Sequence, residues 1–130
     1  MSTVKADTLS TRDGTYSVPS ETLARGACRA WVNFNGTGTV AIRESFNVSS
    51  ITDNGTGDYT VNFTTAMEDA DYAVCVTSGQ SAARRVIDSY GVDGSGNPVA
   101  LTTSAVRVIC FDESTTSTYD MAGVSAAIFR

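Results

Sequence analysis

Between residues 28 and 63 side-chain polarity reverses at nearly every position. "CRAWVNF" sets Cys28, Ala30, Val32 and Phe34 against Arg29, Trp31 and Asn33, and "DYTVNFT" sets Tyr59, Val61 and Phe63 against Thr60, Asn62 and Thr64. Successive side chains of an extended strand leave on opposite sides, so a period of two describes strands with one buried face and does not suit an amphipathic helix. This pattern, cut by short glycine-rich turns, confines the chain to antiparallel β-structure.

The turns fix the pairing. "NGTG" at residues 35–38 is an Asn-Gly hairpin signal, and it joins residues 28–34 to residues 39–44. "DNGTGD" repeats the device before Tyr59. Phe46 and Val48 are expected on one face, and Ile51 breaks the alternation, which places a bulge near Ser49 and Ser50. Farther on, Tyr72, Val74 and Val76 alternate with Ala73, Cys75 and Thr77. "SAARRVIDSY" suits either a short strand or one helical turn, and "GVDGSGNP", with three glycines and a proline in eight residues, is a loop. Val106, Val108 and Cys110 face away from Arg107, Ile109 and Phe111; with both faces largely apolar, this strand belongs in the middle of a sheet. "TTSTYDMAG" reads as a loop and "VSAAIFR" as a last strand. Seven or eight short strands at hairpin spacing, with no convincing helix, describe an antiparallel β-sandwich or jelly-roll-like domain over residues 27–130. Residues 1–26 are apolar only at scattered positions and carry Pro19, which bars a central strand position; they form an extended arm or a loose leader.

Length and composition narrow the function. A chain of 130 residues suits one domain with a real core. Its net charge of −5 comes without a basic stripe, which argues against nucleic acid and anionic membranes; the one adjacent basic pair, Arg84-Arg85, reads as a solvated edge or loop. No apolar run is long enough for a membrane span, and no hydrophobic region of a signal peptide follows the first residues, so use without Sec export is expected. Cys28, Cys75 and Cys110 are far apart and lie among apolar neighbours; they read as buried, reduced thiols rather than a disulfide set or a zinc site.

No constellation points to catalysis. There is no histidine, so Ser-His and Cys-His pairs are excluded. Glu68, Asp69 and Asp71, and the pair Asp112-Glu113, fall at strand ends where solvated turn residues are the rule. "DGSGN" at residues 93–97 has the oxygen-rich look of a cation loop but lacks a regular ligand spacing, and a plain turn explains it. No cofactor or metal is expected. Four N-x-S/T triplets, at Asn35, Asn47, Asn54 and Asn62, fit hairpin turns and polar sheet faces without glycosylation. The aromatic residues remain. Trp31 falls on the polar side of its strand, which means burial at a subunit interface or in a second core layer, or a binding ring. Tyr90 and Tyr119 lie in or beside the two long loops, where they either pack the loop or stack on a ligand.

The stretch "AWVNFNGTGTVAIRESFNVSSITDNGTGDYTVNFTTAM" and the strand after it, residues 30–76, resemble a module found at the C-terminal end of tail fibre and related proteins of tailed bacteriophages and prophages, common in marine phages. The leader "VKADTLSTRDGTYSVP" is similar to the approach that precedes this module, whereas the part after Gly79 has no counterpart and the cysteines and Arg84-Arg85 depart from it. The resemblance implies a virion protein, made in the bacterial cytoplasm, usually a homotrimer attached to upstream fibre or tail proteins. Its far end would contact a host receptor, a surface glycan or an outer-membrane protein, without catalysis and without membrane insertion. A connector that never touches the host is the alternative, and a glycan depolymerase a third. The loops at residues 80–98 and 114–120 would carry recognition, with Tyr90, Asp93, Asn97 and Tyr119 as contacts.

Overall fold

The computed structural model describes residues 6–79, 86–112 and 117–130. It is an all-β sandwich preceded by a small arm. The arm pairs β1 (Thr8–Ser10) with β2 (Ser17–Pro19) and continues into a short helix, α1 (Ser20–Gly26). This helix corrects the expectation of a helix-free chain. Pro19 precedes it, Glu21 lies in its first turn and Arg25 in its last, and Arg25 Nε donates to Glu21 Oε1 at 3.0 Å. Seven residues with no buried side chain give no apolar periodicity to read.

The sandwich begins at β3 (Cys28–Asn35), followed by β4 (Ala41–Phe46), β5 (Val48–Gly55), β6 (Asp58–Phe63), β7 (Ala73–Gly79), β8 (Val86–Tyr90), β9 (Ala105–Asp112), the two-residue β10 (Ser117–Thr118) and β11 (Gly123–Phe129). One sheet has the order β4-β3-β11-β7. In the other, β9 carries β8 along one edge and β6 along the opposite edge, with β5 outside β6; β10 takes over beside β9 where β6 ends. Every pairing among the described residues is antiparallel, and the sequence-adjacent pairs β3–β4, β5–β6 and β8–β9 each stay within one sheet.

The expected hairpin at residues 28–44 forms, and the bulge near Ser49 is present as a register shift between Val48 and Ser50. A second shift, between Asn33 and Phe34, had no sequence signal. Phe46 and Val48 do not share a face: Phe46 is exposed and Val48 buried. Asn47 between them has φ 54°, a conformation that asparagine tolerates better than most residues, and it turns the chain from one sheet into the other. Its side chain fixes the corner. Nδ2 donates to Arg29 O and Thr65 O, both at 3.1 Å, and Oδ1 accepts from Thr65 N at 2.8 Å.

The far edges are tied by a second contact. Ser78 on β7 donates through N (2.8 Å) and Oγ (2.6 Å) to the Asp88 carboxylate on β8. Between these ties lies the core: Val32, Phe34, Val124, Ala126 and Ile128 from one sheet meet Tyr59, Val61, Val106, Val108 and Cys110 from the other. Phe34 and Tyr59 meet edge to face at 5.1 Å, as do Phe63 and Tyr72 at 5.9 Å. The cysteines are all free, but only Cys110 is fully buried. Burial, helped by the Asp88 charge, pushes its thiol up to about 12. Cys28 is half-buried, and Cys75 is exposed, because the alternation that buries Tyr72 turns residue 75 outward.

Candidate functional site

From Ala105 to Phe111, β9 is apolar except for one charge, Arg107, which points to the outer side of its sheet. A cation there requires a partner, and Asp58 on the neighbouring β6 supplies it. Arg107 donates through Nε to Asp58 Oδ1 at 2.7 Å and through NH2 to Oδ2 at 2.6 Å, a two-pronged contact with the carboxylate nearly buried. Burial works against the Asp58 charge. The Arg107 bonds, the Gly94 N–H and the Asn54 amide outweigh it, and the carboxyl is held below its usual range. The same pairing raises Arg107.

Gly94 belongs to the loop after β8. Val92 and Pro98 bridge its base. Gly94 N donates to Asp58 Oδ2 at 2.8 Å, so the loop reaches over β9 to β6. Ile109, which shares that outer side with Asp58, is fully buried.

Asp93 organises the tip of this loop. Its Oδ1 accepts from Ser95 N (2.9 Å) and Asn97 N (2.8 Å), and its Oδ2 from Asn97 Nδ2 (3.0 Å). These bonds, the Asn97 side chain foremost, hold Asp93 below the ordinary carboxylate range. Residues 93–97 therefore form a self-capped Asx turn.

The second loop is pinned from the other side. Asp120 Oδ1 accepts from Gly57 N at 2.7 Å and from the Tyr59 hydroxyl at 2.8 Å. Tyr59 also donates to Gly36 O at 3.0 Å. Gly36 and Asp120 thus meet on one buried phenol, and Gly57 joins them through the Asp120 carboxylate. Gly57 has φ +63°, and a Cβ there would stand 2.4 Å from Tyr119 N, so no other residue fits.

Together the β5–β6 turn, the residue 93–95 tip and β10 enclose an open depression of about 270 Å³. Asn54, Thr56, Asp58, Asp93, Arg107 and Thr118 line it. Of the four contacts expected from the sequence, Asp93 lines it; Tyr119, next to Thr118 in the chain and partly exposed, and Asn97, which donates to Asp93, are not among the lining residues. Tyr90 is not among the lining residues; it ends β8 opposite Val108, and is 43% exposed. Arg84-Arg85, and residues 80–85 and 114–116 of the two expected loops, lie outside the described residues. Asn54, Thr56, Asp58, Arg107 and Thr118 were missed. Arg107 carried the one usable signal, a lone charge inside an apolar run.

Among the described residues no group of three or more His, Cys, Asp or Glu is placed to hold a metal ion, and no helix is long and apolar enough to cross a membrane. The depression offers hydroxyls, amides, a carboxylate already bonded within its own turn and a neutralised ion pair, a chemistry suited to hydrogen-bonding a polar ligand. Compared with protein-family models, curated proteins and solved structures, the chain matches none of them.

Proposed function

We propose that this chain is the receptor-binding tip of a phage tail fibre, acting in the virion as a homotrimer and recognising a bacterial surface glycan or outer-membrane protein without catalysis. The reading starts from the resemblance of residues 30–76 to fibre-tip modules. Its best structural support is the anchoring of the residue 93–97 loop onto the Asp58–Arg107 pair. A surface loop held by a partly buried ion pair loses little conformational entropy when it binds, which favours recognition. The polar lining suits sugar hydroxyls, and three copies would convert weak single contacts into avidity.

The test is competition. The purified chain should block adsorption of the phage that encodes it, and a Thr56→Arg, Thr118→Arg double variant, altered only at the depression, should not. A folded wild-type protein that leaves adsorption unchanged at saturating concentration refutes the reading. An exposed apolar row on the four-stranded sheet favours a second role, as a connector packed between virion components, and that role predicts this negative result.

A further inference from the structure

The two outer faces of the sandwich differ in kind. On the β5-β6-β9 side polar side chains satisfy one another, with Asn62 Nδ2 donating to Ser50 Oγ at 3.1 Å and Thr52 Oγ1 at 2.9 Å, and Asn54 Nδ2 to Thr60 Oγ1 at 2.9 Å. On the other side an apolar row crosses all four strands: Phe46 is opposite Trp31, Trp31 opposite Ala127, and Ala127 opposite Cys75. Phe46 is 55% exposed and Trp31 37%. Beside the indole, Asn33, Cys75, Thr77, Ser125 and Ala127 form a shallow trough of about 290 Å³. Asn33 Nδ2 is already donated to Ser125 Oγ at 2.8 Å, so the trough offers little to a sugar and much to an apolar surface.

The arm has the matching deficiency. None of its described residues is buried; Leu9 and Val18 stand opposite each other on one side of the hairpin, and Leu9, Tyr16 and Leu23 are exposed. A hairpin and a two-turn helix do not hold together in water without a surface to pack on. The arm does not cover the Trp31 row of its own chain, since Trp31 and Phe46 stay exposed.

Area decides what the row needs. Four strands about 4.8 Å apart and seven residues at about 3.4 Å each give a face of about 450 Å². A stable interface needs about 800 Å² from each partner. The face alone falls short for a single two-fold contact; in a head-to-tail arrangement each copy buries its face under one neighbour's arm and its own arm on the other neighbour, so the surface buried per copy is about twice that of the face.

We infer that the outer face of the β4-β3-β11-β7 sheet is an interface between copies of this chain, with the arm of one copy laid over the Trp31–Ala127–Cys75 row of the next. Such a contact is heterologous and closes into a ring when the rotation permits. It rests on the self-association part of the proposed function and says nothing of the receptor.

Cys75 is a built-in reporter. The full chain is sized by light scattering and labelled with a maleimide, the labelled cysteines being identified by peptide mass spectrometry. The expected result is an oligomer in which Cys75 reacts about tenfold more slowly than an open thiol, and more slowly still as protein concentration rises. Trp31→Arg and, separately, Leu23→Asp should each give a monomer with fast Cys75 labelling; Leu23 is half-exposed in the arm, so its change leaves the sandwich core intact. A wild-type monomer with open Cys75, an oligomer with open Cys75, or a monomer with protected Cys75, whose own arm then covers the face, each overturn the inference. An oligomer with protected Cys75 that fails to block adsorption supports this interface while refuting the receptor reading.

Discussion

Tyr59 and Asp120, 61 positions apart, meet through one hydrogen bond of 2.8 Å, from the phenol to Oδ1. That bond joins the start of β6 to the approach to β11, and burial first, then the Asp120 bond and charge, raises the phenol's pKa. Tyr59→Phe should therefore cost about 1–3 kcal/mol, the loss expected when a buried acceptor loses its donor. Urea unfolding should show a lower midpoint with an unchanged slope.

Gly36 touches the same phenol. A Cβ at residue 36 would lie 2.4 Å from Tyr59 Oη and 2.9 Å from Met121 O. Gly36→Ala should destabilise the fold by about 1–3 kcal/mol through overpacking. Combined with Tyr59→Phe, the cost should be less than the sum of the two, because the hydroxyl that the added methyl strikes is gone. Strict additivity in the double variant would count against this contact.

Asn47 separates backbone from side-chain effects. With φ 54° and three side-chain bonds, both matter at the sheet-to-sheet corner. Asn47→Ala loses both and should cost about 2–4 kcal/mol, whereas Asn47→Gly relieves the backbone strain, about 1 kcal/mol of it, and should lie between the alanine variant and wild type. Thermal melts of the three proteins check the order.

The Asp58 pKa gives a pH dependence of definite sign. It is lower in the folded than in the unfolded chain, so its stabilising contribution is complete above the unfolded value of about 4 and is lost as pH falls through the folded value. Asp58→Asn should lower stability at pH 7 and make the fall between about pH 4 and the acid limit shallower than in wild type. Melting temperatures across that interval decide it; parallel curves would exclude a role for this carboxylate.

Much of the sandwich was legible because its signals are local. Period-two runs and Asn-Gly turns located β3 to β6, and two apolar faces marked β9 as central. What failed was non-local or conformational. Nothing between Phe46 and Val48 announces a corner, since one left-handed Asn reverses the faces without changing polarity. Cys75 looked like a core residue by composition, and only its register with Ala127 and Trp31 shows it outside. Asp93 and Asn97 carried the right chemistry for a contact, but each uses the other. Asp58 was invisible because its meaning depends on Arg107, 49 positions away.

The place of β11 has a consequence for biogenesis. It lies between β3, the sandwich's first strand, and β7, so both hold an open edge until residues 123–129 have left the ribosome. A nascent chain can close its hairpins as they emerge, yet its four-stranded layer must wait until β11 has been made. Any product stalled before Gly123 would expose two ready-made templates for intermolecular strand addition, and should aggregate rather than accumulate as a soluble fragment.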